Sequence, residues 1–124
     1  MKILITGGAG FIGSHLTRLM VNKYPGYTIH NLDKLTYAGN LANLDPVAND
    51  PRLSVVTGDI RIATDIDSAL PGHDVVVHFA AESHVDRSIE SSSIFVTTNV
   101  LGTQQMLEAT MRHGIPSFIH VSTD

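Results

Sequence analysis

The chain has 124 residues, of which 43% are hydrophobic and 16% charged, a balance typical of a folded domain and not of a disordered tail. A formal net charge of −4 argues against nucleic-acid binding by charge. The absence of cysteine excludes a disulfide framework and a cysteine-based metal site. Every apolar run is shorter than the roughly 18 residues of a membrane span. Together these observations predict a single-domain cytoplasmic protein with no membrane, nucleic-acid or metal partner.

Short apolar runs alternate with stretches of helical period in the first half of the chain. Residues 3–5 and 28–32 are typical of buried strands, and apolar side chains recur with a helical period from 11 to 23. The polar segment 34–52 predicts a loop with one helical turn near 40–44.

The second half repeats this alternation and ends on a strand. The pattern predicts strands at 53–57, 74–79 and 118–122, and helices at 63–70 and from the serines at 91–93 to 113. Five strands alternating with helices indicate an α/β fold, a Rossmann-type parallel sheet with helices on both faces. Since a loop and a helix should follow the last strand, we expect a longer natural chain.

Four glycines lie between the first strand and the first helix. Gly8, Gly10 and Gly13 fit the pattern G-x-G-x-x-G, and Gly7 extends it to G-x-x-G-x-x-G. Such glycines allow a sharp turn, close approach of the backbone to a pyrophosphate, and tight packing of helix against strand. The helix N-terminus adds free N–H groups and the positive end of its dipole. The motif predicts a dinucleotide site.

Asp33 lies 20 residues after Gly13, at the carboxyl end of the second predicted strand. An acid at this distance is typical of one that binds the adenosine ribose. Its carboxylate can accept hydrogen bonds from ribose hydroxyls and would repel a 2′-phosphate, which favours NAD over NADP. The neighbouring Lys34 weakens this preference, because an ammonium group can neutralise phosphate.

Longer segments resemble a known family. Residues 6–13 resemble the signature of extended short-chain dehydrogenase/reductases, and residues 33–40, 80–88 and 121–124 resemble the dTDP-glucose 4,6-dehydratases among them. The similarity runs over the whole chain. It identifies residues 1–124 as the NAD-binding portion of such an enzyme, with the substrate-binding lobe outside this sequence.

The resemblance implies a cofactor site built from several loops. The pyrophosphate would contact Gly7, Gly10, Phe11, Ile12 and Gly13. The adenosine would contact residues that follow the second and third strands, Asp33, Lys34, Leu35, Thr36, Asp59 and Ile60. The nicotinamide side would be formed by Phe79 at the end of the fourth strand and by residues beyond it, Ala80, Ala81, Ser83 and Thr98.

The resemblance also implies a substrate and a reaction. Ser83 and Thr123 would contact the glucose ring of dTDP-glucose, and Asp124 would be the general acid. NAD would oxidise C4, water would be lost from C5 and C6, and C6 would be reduced, giving dTDP-4-keto-6-deoxyglucose. The glutamate and the Tyr-x-x-x-Lys pair of the family are not among residues 1–124, so we expect no turnover from this portion alone.

Two other functions stay open. A nucleotide-sugar 4-epimerase or decarboxylase would use the same first hydride step, although epimerases usually carry serines in place of Thr123 and Asp124. A non-enzymatic domain that senses NAD(H) would need only the cofactor site. The residues that follow Asp124 in the reading frame would distinguish these alternatives.

Two further features have structural interpretations. The helical spacing of one apolar set predicts a mainly buried face, although the resemblance implies that this helix contributes to a homodimer; the set is Val96, Val100, Leu107 and Met111. His78 and His120 lie on predicted buried strands. We expect both histidines to be packed and hydrogen-bonded rather than bound to metal.

Overall fold

The computed structural model describes residues 1–35, 40–81, 93 and 96–122. Its strands are β1 (Lys2–Thr6), β2 (Thr28–Asp33), β3 (Leu53–Thr57), β4 (Val75–His78) and β5 (Ser117–His120). Its α-helices are α1 (Phe11–Lys23), α2 (Ala63–Ala69) and α3 (Thr103–Arg112). A 3-10 helix spans Leu41–Val47 and a π-helix spans Val96–Gly102, directly before α3. Within the described ranges, every helix is too short or too polar to cross a membrane.

The five strands form one parallel sheet in the order β3-β2-β1-β4-β5. The chain fills one half of the sheet outward from β1 and then returns to begin the other half at β4. The connection after β1 therefore runs toward one edge of the sheet and the connection after β4 toward the other edge. This divergence opens a crevice between the two strands at their carboxyl ends. The predicted Rossmann-type parallel sheet is confirmed.

Helices cover both faces of the sheet because successive residues of a strand point to opposite sides. Leu4 of β1 packs in a cluster with Ile66 of α2 and Met106 of α3. Its neighbour Ile5 packs on the other face with Val21 of α1. The predicted layers are therefore present, with α1 and the 3-10 helix on one face and α2 and α3 on the other.

The predicted boundaries hold for some elements and shift for others. The bounds of α1 and β3 agree with the prediction, and β2, β4, β5 and α2 shift by up to two residues at an end. The 3-10 helix is longer than the single predicted turn and contains Pro46. Asn40 stabilises its start, because the side-chain oxygen accepts a hydrogen bond from the Ala42 N–H.

The interpretation of the apolar set in the long helix as core was wrong. The predicted single helix consists of the π-helix and α3, and its start at 91–92 lies outside the described residues. The face of α3 that contacts the core carries Met106 and Ala109 instead. Leu107 lies one residue, and so about 100° of helical rotation, away from that face. All four members of the set are between 44% and 81% exposed: Val96, Val100, Leu107 and Met111.

The two histidines on predicted buried strands differ in environment. His78 is buried in β4 and hydrogen-bonded, as predicted. His120 is exposed, so its predicted burial was wrong. The reason lies in the topology, because β5 is the last strand in the sheet order whereas β4 has a strand on each side.

Candidate cofactor-binding site

The loops that follow the strands are held together along one edge of the sheet. The Gly58 N–H donates to the Asp33 carbonyl at 3.0 Å, and the Phe79 N–H donates to the Thr6 carbonyl at 3.0 Å. These bonds continue the sheet ladder one residue beyond the strands. Residues that the sequence separates widely therefore meet along the edge of the sheet where the strands end.

The glycine turn is packed too tightly for other side chains. Gly7 has a φ of +72°, and a Cβ atom there would lie 2.8 Å from the Ala80 backbone nitrogen. A Cβ atom on Gly13 would lie 2.2 Å from the Gly7 carbonyl oxygen, and one on Gly8 would lie 2.3 Å from the side chain of Asn31. The glycines thus seat α1 against β1 and the turn against the loop after β4, as a dinucleotide site requires.

The first turn of α1 is open to a ligand. Gly10 precedes the helix and has no side chain to cap it, and the first turn of this fully described helix contains no acidic residue. Phe11 and Ile12 are 77% and 59% exposed. The first N–H groups of a helix have no partner within it and carry the positive end of the helix dipole. This end of α1 can therefore receive an anion such as a pyrophosphate.

Asp33 is fixed between the glycine turn and the loop after β2. One carboxylate oxygen, Oδ2, accepts a hydrogen bond from the Ala9 N–H at 2.9 Å, and Oδ1 accepts one from the Leu35 N–H at 2.7 Å. Leu35 has a φ of 60°, a left-handed conformation that is uncommon for leucine. A carboxylate oxygen has two lone pairs, so both oxygens retain capacity for ribose hydroxyls.

Lys34 lies beside a second carboxylate, that of Asp59. Its Nζ atom is 3.5 Å from Asp59 Oδ2, and Arg61 Nη2 is 2.7 Å from the same oxygen. The hydrogen bonds from Arg61 lower the pKa of Asp59 to about 2, against the opposing effect of burial. Asp65 holds this loop in turn, because its Oδ2 accepts from the Asp59 N–H at 2.9 Å. The Asp59 carboxylate, which attracts the ammonium group of Lys34, is therefore ionised at neutral pH.

The nicotinamide side of the predicted site begins at the end of β4. Phe79 and Ala80 are half-buried and Ala81 is exposed. The Ala80 N–H donates to the hydroxyl oxygen of Thr6 at 3.2 Å, and Thr6 also contacts His78. The sequence indicates a buried, hydrogen-bonded His78 but not its partner Thr6, because β4 brings the two together from positions 72 residues apart.

The remaining predicted site residues lie in the core, in the π-helix or outside the described residues. The side chain of Ile60 is buried in the core with α2 and α3. Thr98 is half-buried in the π-helix. Four of the predicted residues lie outside the described part of the chain: Thr36, Ser83, Thr123 and Asp124. The roles assigned to all of these residues stay predictions.

The sheet order and the glycine turn define a protein with a Rossmann-type, dinucleotide-binding fold. Residues 4–124 match the sequence profile described as GDP-mannose 4,6 dehydratase. The chain belongs to this family. The resemblance to nucleotide-sugar dehydratases that the sequence segments indicated is confirmed.

Individual relatives narrow the similarity. The dTDP-glucose 4,6-dehydratase of Streptomyces niveus is 51% identical over the whole chain. The crystal structure of a double mutant of DesIV, the dTDP-glucose 4,6-dehydratase of Streptomyces venezuelae, with NAD bound, is 54% identical with a TM-score of 0.94 over 99% of the chain. The UDP-glucuronic acid 4-epimerase of Bacillus cereus, also with NAD, is 35% identical with a TM-score of 0.90 over the whole chain. The chain spans 38%, 39% and 40% of these three proteins.

Proposed function

We propose that residues 1–124 are the NAD-binding Rossmann portion of a dTDP-glucose 4,6-dehydratase. The observation that carries this proposal is the difference in identity between relatives of the same fold. The two Streptomyces dehydratases are 51% and 54% identical to the chain, whereas the Bacillus cereus epimerase is 35% identical at nearly the same TM-score. The fold therefore supports the cofactor chemistry, and the higher sequence identity supports the dehydratase. The cytoplasmic location stays a prediction.

The described residues fit NAD. Gly7 and Gly13 let the turn pack against the backbone of Ala80 and against itself, which places the start of α1 where a pyrophosphate can bind. The carboxylate oxygens of Asp33 each accept one hydrogen bond and can accept a second from a ribose hydroxyl. The ion pair with Asp59 makes Lys34, the basic residue that follows Asp33, a weaker partner for a 2′-phosphate. These features support NAD over NADP.

In the proposed mechanism the protein orients the sugar and moves protons. When bound, NAD supplies a hydride acceptor that is regenerated in each turnover. Thr123 hydrogen-bonds the C4 oxygen, and Ser83 contacts the glucose ring. Once C4 is a ketone, the C5 proton is acidic enough to be taken by a base of the full natural chain. Asp124 then delivers a proton to the C6 oxygen, so that it leaves as water.

Isotopic labelling of the substrate tests the proposal. The full natural chain is incubated with dTDP-glucose that carries deuterium at C4, and the product is analysed by NMR and mass spectrometry. A dehydratase yields a 4-keto-6-deoxy sugar with the label at C6. An epimerase returns the label to C4 without loss of water, and a cofactor-sensing domain binds NAD⁺ without turnover; either result would overturn the proposal.

Cofactor preference should depend on Asp33. We expect the unmodified protein to prefer NAD⁺. Asp33→Ala should reduce the ratio of the NADP⁺ to the NAD⁺ dissociation constant by about tenfold or more. The substitution removes hydrogen bonds from the NAD⁺ ribose to a charged group, and it removes a charge that repels the 2′-phosphate of NADP⁺. Calorimetry with both cofactors measures the ratio. Asp45→Ala, at an exposed acid on the 3-10 helix, should leave it unchanged. Equal affinity of the unmodified protein for both cofactors would refute the assignment.

We also propose a homodimer through the exposed apolar face of the π-helix and α3. Its members are all exposed and follow one another four and seven residues apart, so a second copy of the same surface can cover them: Val96, Val100, Leu107 and Met111. An exposed apolar surface of this kind is typical of an interaction surface.

Charge within this surface should separate the subunits. Leu107→Glu combined with Met111→Glu is expected to raise the dimer dissociation constant by about 100-fold or more, because two carboxylates per subunit would have to be buried unpaired. Analytical ultracentrifugation of the full natural chain measures this. Leu19→Glu is the control, because Leu19 is a similarly exposed leucine on α1, outside this surface. A monomeric unmodified protein at micromolar concentration would contradict the proposal.

A further inference from the structure

A chain of hydrogen bonds crosses the interior behind the nicotinamide side of the site. The Ala80 N–H lies 3.2 Å from Thr6 Oγ1, and Thr6 Oγ1 lies 2.6 Å from His78 Nδ1. On the far side of the imidazole, His78 Nε2 lies 3.1 Å from the hydroxyl oxygen of Thr103, the first residue of α3. The chain therefore connects the loop after β4 to α3 through β1 and β4.

The direction of these bonds follows from what each group can donate. A backbone N–H only donates, so the Thr6 oxygen accepts from Ala80. The Thr6 hydroxyl proton is then free to point at His78 Nδ1, which must be without a proton to accept it. A neutral imidazole without a proton on Nδ1 carries it on Nε2, where it donates to Thr103. The arrangement that satisfies every group uses this single tautomer.

His78 is held in the neutral form that this arrangement requires. It is 1% exposed, and burial, with a smaller effect of His120, lowers its pKa to about 4. The groups that face it are Thr6 from β1, Thr103 from α3, and Phe118 and His120 from β5. Among the described residues, His120 is the titratable one in this set.

We infer that His78 is a positioning residue for the nicotinamide end of the cofactor. It directs the hydroxyl of Thr6 so that the Thr6 oxygen holds the Ala80 amide, against which the turn at Gly7 is packed. Phe79 is held by the backbone of Thr6, whereas the position of Ala80 also depends on an imidazole that lies behind the cofactor site. This inference rests on the proposed function, because the resemblance assigns the nicotinamide to this loop.

Two substitutions divide the functions of the two ring nitrogens. In His78→Asn the side-chain amide reaches the position of Nδ1 and can accept from Thr6, whereas in His78→Gln it reaches the position of Nε2 and contacts Thr103 instead. We expect His78→Gln to weaken NAD⁺ binding by about 3- to 10-fold, the effect of one hydrogen bond, with ADP-ribose affinity unchanged. The affinity of His78→Asn for NAD⁺ should stay within about twofold of the unmodified protein.

A matched control separates positioning from the loss of a buried histidine. His73 is also buried, and it bonds the Leu70 carbonyl and His30 before the amino end of β4, away from the cofactor edge. His73→Gln should lower the melting temperature of the full natural chain and leave the ratio of NAD⁺ to ADP-ribose affinity unchanged. Equal losses for both ligands in His78→Gln, or equal losses in the Asn and Gln variants, would overturn the inference.

A spectroscopic measurement tests the tautomer without any cofactor. In protein labelled with ¹⁵N on histidine, His78 should show the proton on Nε2 and no titration between about pH 5.5 and 8, since its pKa is about 4. A proton on Nδ1 would contradict the inference even if NAD⁺ binds. Failure of the unmodified protein to bind NAD⁺ would instead remove the proposed function, and the tautomer would still decide the hydrogen-bond chain.

Discussion

Gly13→Ala is expected to lower NAD⁺ affinity by about 100-fold or more and to destabilise the fold by about 1–3 kcal/mol, the range for an overpacked buried site. The added Cβ atom would lie 2.2 Å from the carbonyl oxygen of Gly7 and 3.1 Å from the Cα atom of Gly8. Both are backbone atoms of the turn, so no side chain can rotate away. The start of α1 must then move off β1, and with it the N–H groups that would receive the pyrophosphate.

Calorimetry with NAD⁺ and thermal unfolding of the full natural chain measure the two effects of Gly13→Ala. The matched control is Gly26→Ala, because nothing lies within 4 Å of a Cβ atom built there. This control should bind NAD⁺ normally and unfold at nearly the same temperature. If Gly13→Ala bound NAD⁺ within about threefold of the unmodified protein, the turn would not be the pyrophosphate site.

The elements with the clearest local signals could be predicted from the sequence. The bounds of α1 agree with the structure because its apolar period is followed by Pro25 and Gly26, which end it. The parallel sheet followed from the alternation of strands and helices. The packing face of α3 could not be predicted, because two apolar stripes lie one residue apart on it, and contact with the core through Met106 decides which is buried.

The candidate site likewise contains some features that the sequence predicts and others that it does not. The glycines and Asp33 carry a spacing that can be read along the chain. The pairing of Lys34 with Asp59 could not be read in this way, because β2 and β3, which are separated by 19 residues in the sequence, bring the two side chains together. The chain through Thr6 and His78 likewise depends on the pairing of β1 with β4. Local motifs thus indicate what a site binds, and sheet topology decides what holds it in place.

Asp124→Asn should leave the first hydride transfer intact and slow the loss of water by about 100- to 10,000-fold, the usual contribution of a general acid. The prediction follows from the proposed chemistry, since Asp124 lies outside the described residues. Hydroxide is a poor leaving group, so the bond from C6 to oxygen breaks only as a proton arrives. Asparagine keeps the shape of the side chain but has no acidic proton. The Thr123 hydroxyl is too weak an acid to replace it.

A single-turnover experiment on the full natural chain separates the two steps. NADH absorbance follows oxidation at C4, and quenched samples follow the 4-keto-6-deoxy product. With Asp124→Asn, NADH should form at the unmodified rate and then persist, because elimination no longer provides the C6 acceptor. Asp67→Asn, at a half-exposed acid paired with Arg112 and His113, should leave both steps unchanged. Product formation by Asp124→Asn at the unmodified rate would mean that another group delivers the proton, and the distinction between dehydration and epimerisation would then have to lie elsewhere in the protein.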